Sequence, residues 1–358
     1  MSQVLLVVGT RKGCFVLESD GDRRDWNVRG PFCEGWPVYH ALYDTDSGNI
    51  YAAAASEWHG ATVWRSLDRG ETWTQSSEGL GYADDGDLKM SKVSSLSAAH
   101  GRLLAGAEQA GIFESRDDGA TWKLLSTLDH PASKDWNDPD KQPPGHLGVS
   151  ATIPHPDDAE RFWAIVQGYS LFETADDGKT WTARNNGLRA EWPREYDDIG
   201  FCVHKFVYSP TDMSRMYQQN HCGMHRSDDG GHSWTEITEG LPSDFGFAAA
   251  VHPHDKDTFY VVPVDPGHAR TMHDGKAAVW RTRDAGSSWR RLHEGLPQSD
   301  AYLGVLREGM TNDALDSPGF YFGTSTGQVF ASCDEGDSWK EIASYLPAIS
   351  SVEVAVVD

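Results

Sequence analysis

Apolar residues along this chain come in short runs, broken every few residues by Gly, Asp, Asn or Pro. Val4-Leu5-Leu6-Val7-Val8, Phe247-Ala248-Ala249-Ala250-Val251 and Thr258-Phe259-Tyr260-Val261-Val262 are such runs. Short apolar stretches bounded by turn residues predict buried strands. Other strands enter through glycine, as in Gly111-Ile112-Phe113-Glu114 and Gly223-Met224-His225-Arg226.

Each glycine-entered strand leads into one motif: Ser or Thr, any residue, Asp, any residue, Gly, any residue, Ser or Thr, Trp. It occurs at Ser66 to Trp73, Ser115 to Trp122, Thr174 to Trp181, Ser227 to Trp234, Thr282 to Trp289 and Ser332 to Trp339. The motif aspartates are Asp68, Asp117, Asp176, Asp229, Asp284 and Asp334, at spacings of 49, 59, 53, 55 and 50. A period near 50 with several short strands per unit predicts a propeller. The Asp accepts hydrogen bonds from its own turn, the Gly supplies positive φ, and the Trp wedges between neighbouring units. A residue needed at every turn is structural, so these aspartates are not candidate catalysts.

Four strands, a to d from the inside outward, fit each period, and the motif is the c–d turn. Several outer strands end in Gly-Leu: Gly79-Leu80, Gly187-Leu188, Gly240-Leu241 and Gly295-Leu296. The first unit is split. Val4 to Val8 reads as strand b, Gly13 to Val16 as strand c, and Trp26 opens strand d after a degenerate turn at Asp20-Gly21. Its strand a is missing there, and Ser351 to Val357 is a strand with nothing after it. The expectation is an all-β, seven-bladed propeller of four-stranded blades over residues 1–358 as one domain, closed by the C-terminal strand in the N-terminal blade. Closure removes sheet edges that invite aggregation.

Composition changes this picture little. The apolar share of 39% is ordinary for a globular chain. A formal net charge of −23 disfavours nucleic acid and anionic membrane surfaces as partners. The first eight residues predict a strand rather than a signal peptide, and no apolar run is long enough for a membrane helix. Five cysteines without periodic spacing fit a reducing compartment, so a cytoplasmic location is expected.

These motifs make the chain resemble the Asp-box (bacterial neuraminidase repeat) superfamily, which includes sialidases, sortilin-type propellers and photosystem II assembly factors. Gly145-His146-Leu147-Gly148, Cys202 to Lys205, Asn220 to His225 and the tail from Tyr345 to Asp358 look like a bacterial family labelled sialidase-like glycosyl hydrolases. The resemblance implies a propeller and a hydrolase-like site. It does not extend to a true sialidase: no Arg-Ile-Pro occurs, Arg11-Lys12 is the only early basic candidate, and the inner strands hold little arginine apart from Arg307. The box defines fold and says little about function.

Loop length directs attention to the face opposite the boxes, where the b–c and d–a loops lie. Four tryptophans outside the repeat pattern, Trp36, Trp58, Trp136 and Trp192, fall in those loops, as candidates either to stack on a ligand or to plug space beneath the loops. Lys205 and Asn220 are further candidate ligand contacts. Glu57, Glu195, Asp197 and Asp198 are candidate acid–base carboxylates, since glycoside hydrolysis needs one protonated and one ionised acid. His59, His146, His204, His221 and His268, with His40 nearby, are candidate ligands for one divalent metal ion. Cys202 and Cys222 beside His204 and His221 are a weaker nucleophile–base option, because the strand spacing disfavours their meeting.

The sequence thus predicts a hydrolase or lyase acting on a small carbohydrate-like ligand at the central channel, on the face away from the boxes. A non-catalytic protein-binding scaffold and a His-bound metal-dependent lyase on a non-sugar substrate are the alternatives. A small molecule is the expected partner in preference to a protein, with the oligomeric state left open.

Overall fold

The computed structural model describes residues 2–82, 89–128, 148–190, 199–267 and 269–357. Among the described residues every regular strand belongs to one of seven antiparallel four-stranded sheets. The innermost strands, in ring order from the split blade, are Ile349–Val357, Val38–Tyr43, Lys92–Ala99, Val149–Pro154, Val203–Ser209, Gly246–Val251 and Met310–Asn312. These are strands a of blades 1 to 7.

The closing strand pairs with the first strand of the chain from Gln3↔Val357 to Thr10↔Ile349. A second contact locks the same seam. Arg23, in the degenerate turn of blade 1, donates to Asp313 Oδ2 of blade 7 at 2.9 Å, and both side chains are almost wholly buried. Tyr321 Oη also donates to that carboxylate, at 2.7 Å.

The boxes do what their residues predict. In the second blade Asp68 Oδ1 accepts from the Thr72 amide and the Ser66 hydroxyl, and Oδ2 accepts from the Thr72 hydroxyl at 2.6 Å. The same set recurs at Asp117, Asp176, Asp229, Asp284 and Asp334. One detail departs from expectation. Positive φ is needed at two consecutive positions, so Arg69, Asp118, Asp177, Ala285 and Glu335 also sit in the left-handed region, ahead of the motif glycine.

Blades adhere through aromatic wedges. Trp122 Nε1 donates to Ser76 Oγ of the preceding blade, Trp234 Nε1 to Arg184 O and Trp289 Nε1 to Ile237 O. Tyr217 stacks on Phe259 at 4.3 Å across the seam of blades 5 and 6. Wedges of this size each remove large apolar areas from water, which stabilises every seam. The Gly-Leu endings acquire a reason here. A Cβ on Gly187 would lie 2.2 Å from Trp234 O, and one on Gly295 2.0 Å from Trp339 O. At these positions only glycine lets the outer strand pass the next blade's tryptophan, while at Gly240 the contact is looser.

Candidate functional site

A charged residue in the middle of an innermost strand has nowhere to go but the channel or a blade seam. His40, Lys205 and Glu353 are such residues, and Glu308 enters the same layer just before strand a of blade 7. In the strands carrying His40 and Lys205 the pairing register shifts immediately before the residue, a bulge that re-aims the side chain.

These four side chains form one polar layer. Lys205 Nζ is bonded to Glu308 Oε2, and His40 Nε2 lies 3.3 Å from Glu353 Oε1. Ligand atoms of His40, Glu308 and Glu353 all fall within 4.8 Å of one another. The Leu96 amide donates to His40 Nδ1 at 2.9 Å, so the imidazole proton is on Nε2 and points at Glu353. That tautomer makes His40 a donor to a carboxylate and removes Nε2 as a metal ligand. Burial pushes the Glu308 carboxyl upward, but Lys205, by charge and by its hydrogen bond, and Arg307 outweigh it and hold the group below the usual carboxylate range. Burial works equally against the Lys205 ammonium, and Glu308 and Glu353 more than offset it, so this lysine stays charged.

The layer floors a cavity of about 400 Å³. Its walls are the ends of strands a and their a–b loops, including Tyr43, Asp44, Pro154, Tyr208, Val251 and Asn312. In blade 2, Tyr43 pairs with Ile50 and Ile50 with Ser66, the first residue of a box. The cavity therefore opens at the box end of the channel, the reverse of the end expected from loop length. The boxes are short, but they sit at the outer rim and leave the axis free.

Beyond the polar layer, toward the other end, stands a second group. Potential ligand atoms of Cys202, His204 and His221 lie within 4.8 Å of one another. Cys202 and His204 share one side of their segment, so the spacing argument against their meeting was wrong. His204 donates from Nδ1 to Gly246 O at 2.6 Å and packs against Phe247 at 4.7 Å. Burial, then Arg307, drive the His204 imidazole well below its ordinary range, and burial with Arg270 and Arg307 lowers that of His221. Two guanidinium groups beside neutral imidazoles oppose a cation there, which weakens the metal reading at the place where the ligand spacing fits it best.

The other candidates scatter. His40 does not join His204 and His221 but lies in the Glu308 layer. His59 is exposed and stacks on Trp36 at 5.7 Å, outside both groups. Trp36 itself packs among Phe32, Trp64 and Trp73, so it plugs a loop rather than offering a stacking face. Trp58 is 89% exposed, and Glu57 beside it is exposed in the same b–c turn, neither lining the cavity. Asn220 is buried and its Oδ1 accepts from the Cys222 amide at 2.8 Å; it shapes a hairpin and does not face the cavity. Lys205 lines the box-side cavity, not the opposite face on which it was expected. Trp136, His146, Trp192, Glu195, Asp197, Asp198 and His268 lie outside the described residues. Glu308 and Glu353 were missed. The signal for Glu353 was its charge inside the apolar run Val352 to Val357.

No protein-family profile matches the sequence, and no curated protein matches it. Solved structures do match in shape. A GH74 enzyme from Niastella koreensis aligns with a TM-score of 0.57 at 14% identity, over 96% of this chain and 65% of that one. YCF48 from Cyanidioschyzon merolae aligns at 0.55 and 11% identity, over 87% and 86%. A candidate 6-phosphogluconolactonase from Bacteroides uniformis aligns at 0.60 and 11% identity, over 99% of both chains. The chain spans just under two thirds of the Niastella enzyme's length. At such identities the likeness establishes the seven-bladed propeller and nothing about chemistry.

Proposed function

We propose that the protein is a small-molecule hydrolase or lyase working in the box-side cavity of its channel. The observation that carries this reading is the Glu308–Glu353 pair, two carboxylates within 4.8 Å at the floor of the cavity, each held by a different partner. Paired carboxylates in unlike surroundings are the usual equipment for acid–base work on a polar substrate. Glu308, tied to Lys205 and ionised, is the electrostatic stabiliser. Glu353, with about a third of its side chain open to the cavity and a donor behind it in His40, is the group that moves a proton. For a glycoside the short separation suits the retaining class, whose carboxyl groups are about 5–5.5 Å apart, better than the inverting one at about 6.5–9.5 Å. Tyr43, Tyr208 and Asn312 at the walls supply the flat and polar contacts that a carbohydrate-like ligand uses.

The test is turnover of a panel of nitrophenyl glycosides and sugar lactones by the purified protein and by Glu353→Gln. The expected result is turnover by the parent that falls at least about 100-fold in the variant with its melting temperature unchanged. Turnover that survives the substitution would remove Glu353 from the mechanism. A parent inert on the panel, and not stabilised against heat by any of its sugars, would favour the scaffold reading.

A further inference from the structure

We infer that the channel mouth away from the boxes binds a small oxyanion, a carboxylate or phosphate group, between Arg270 and Arg307. This site is separate from the box-side cavity and does not depend on what that cavity does. The first observation is a crowding of like charge. The Arg307 guanidinium lies 5.0 Å from the centroid of the Phe247 ring, and the Arg270 guanidinium 5.5 Å from the same centroid and 5.4 Å from that of Phe245. Two guanidinium groups on one aromatic ring repel each other, and the ring's quadrupole offsets only part of that.

The second observation is what they lack. The chain carries 54 acidic against 31 basic residues, so counter-ions are abundant. Several other buried cations have them: Arg23 has Asp313, Arg102 has Glu114 and Arg281 has Asp337, and half-buried Lys92 near this mouth has Glu108 at 2.5 Å. Among the described residues neither Arg270 nor Arg307 pairs with a carboxylate, and the buried Nε of Arg307 has no hydrogen-bond partner. A buried donor left unpaired, as Arg307 Nε is, is costly unless a ligand completes it, whereas among the described residues exposed Arg270 bonds only the Gly267 carbonyl, through Nε.

The third observation is the neighbourhood. His204 commits its one imidazole proton to Gly246 O and is neutral, and the neighbouring carboxylate of Arg307, Glu308, is already bonded to Lys205. A planar fork of N–H donors is the group that matches carboxylate and phosphate oxygens, and burial strengthens each such bond. A cation would meet two positive charges at this place; an anion relieves their repulsion.

Calorimetric titration with inorganic phosphate and, separately, acetate tests the site, at constant ionic strength set with chloride. The expected result is saturable binding of one anion per chain, weakened about tenfold or more by Arg270→Gln and by Arg307→Met, the loss of one charge-assisted bond each. Glu353→Gln should keep the anion affinity whatever it does to turnover, which separates this site from the cavity. Phosphate alone binding would define a phosphate group, and acetate alone a carboxylate. Arg270 is exposed, so its variant remains informative if Arg307→Met fails to fold. Absence of saturable binding of either probe, or unchanged affinity in Arg270→Gln, would overturn the proposal; the arginines would then answer to a carboxylate of the chain itself.

Discussion

His225 shows how much a single side chain in a blade seam can matter. It sits in strand c of blade 5, opposite Gln218 on strand b, and both are wholly buried. Burial drives its imidazole down to about 4. A histidine held neutral in the fold but free to charge when unfolded adds stability above the unfolded value of about 6.5, and that stability is lost as pH falls toward 4. The depression corresponds to a few kcal/mol, on the order of 3. Unfolding free energy should therefore drop steeply between these pH values, and His225→Phe should flatten the slope when denaturant midpoints are measured across the range. An unchanged slope would mean that other groups carry the acid sensitivity. The box aspartates behave oppositely. The Thr121 amide and hydroxyl hold Asp117 down at about 2, so the boxes keep their charge through the same interval.

At the scale of the element, the d strand is the instructive one. It is short and largely exposed, and its sequence holds few apolar residues, yet its position is set by one glycine. Gly187 has φ of 92° and leaves no room for a Cβ against Trp234 O at 2.2 Å, whereas Gly240, with φ of 94°, has Trp289 Cδ1 at a comfortable 3.6 Å. Both substitutions by alanine carry the cost of the left-handed backbone, about 1–2 kcal/mol. Gly187→Ala should cost about 1–3 kcal/mol beyond that, because the blades must part. Thermal melts of the two variants check the difference, and equal losses would show that the close approach is not what the glycine serves. The repeat of Gly-Leu was visible in the sequence. Its reason was not, since the contact is with a residue one blade away.

For the whole molecule, the closing strand decides whether seven sheets act as one body. Val352 and Ala355 of that strand are buried against the first blade, and Ile349 packs toward blade 7. Deleting the last eight residues should expose the edge of strand b in blade 1 and lower the melting temperature of the entire ring, not fray one end. A truncated protein melting where the parent does would refute closure as a source of global stability. The buried Arg23–Asp313 bridge across the same seam gives a second hold, one whose loss strands a buried carboxylate.

The residues alone determined the architecture. Box spacing, glycine-entered strands and an orphan terminal strand arise from local turn chemistry and from the period of a structure that repeats, and both are written along the chain. They also singled out Lys205, but for the face away from the boxes and not for the box-side cavity that it lines. The site was legible only in part, because its four polar residues come from four blades and lie as much as 313 positions apart. Loop length pointed to the face with the longest connections, whereas the cavity is made by strand ends at the other face. Bulges before His40 and Lys205 aim those side chains at the axis, and a bulge leaves no mark in apolar periodicity. Which Glu meets which Lys, and which arginines are left without a partner, is settled only when the ring closes and brings every inner strand to one axis.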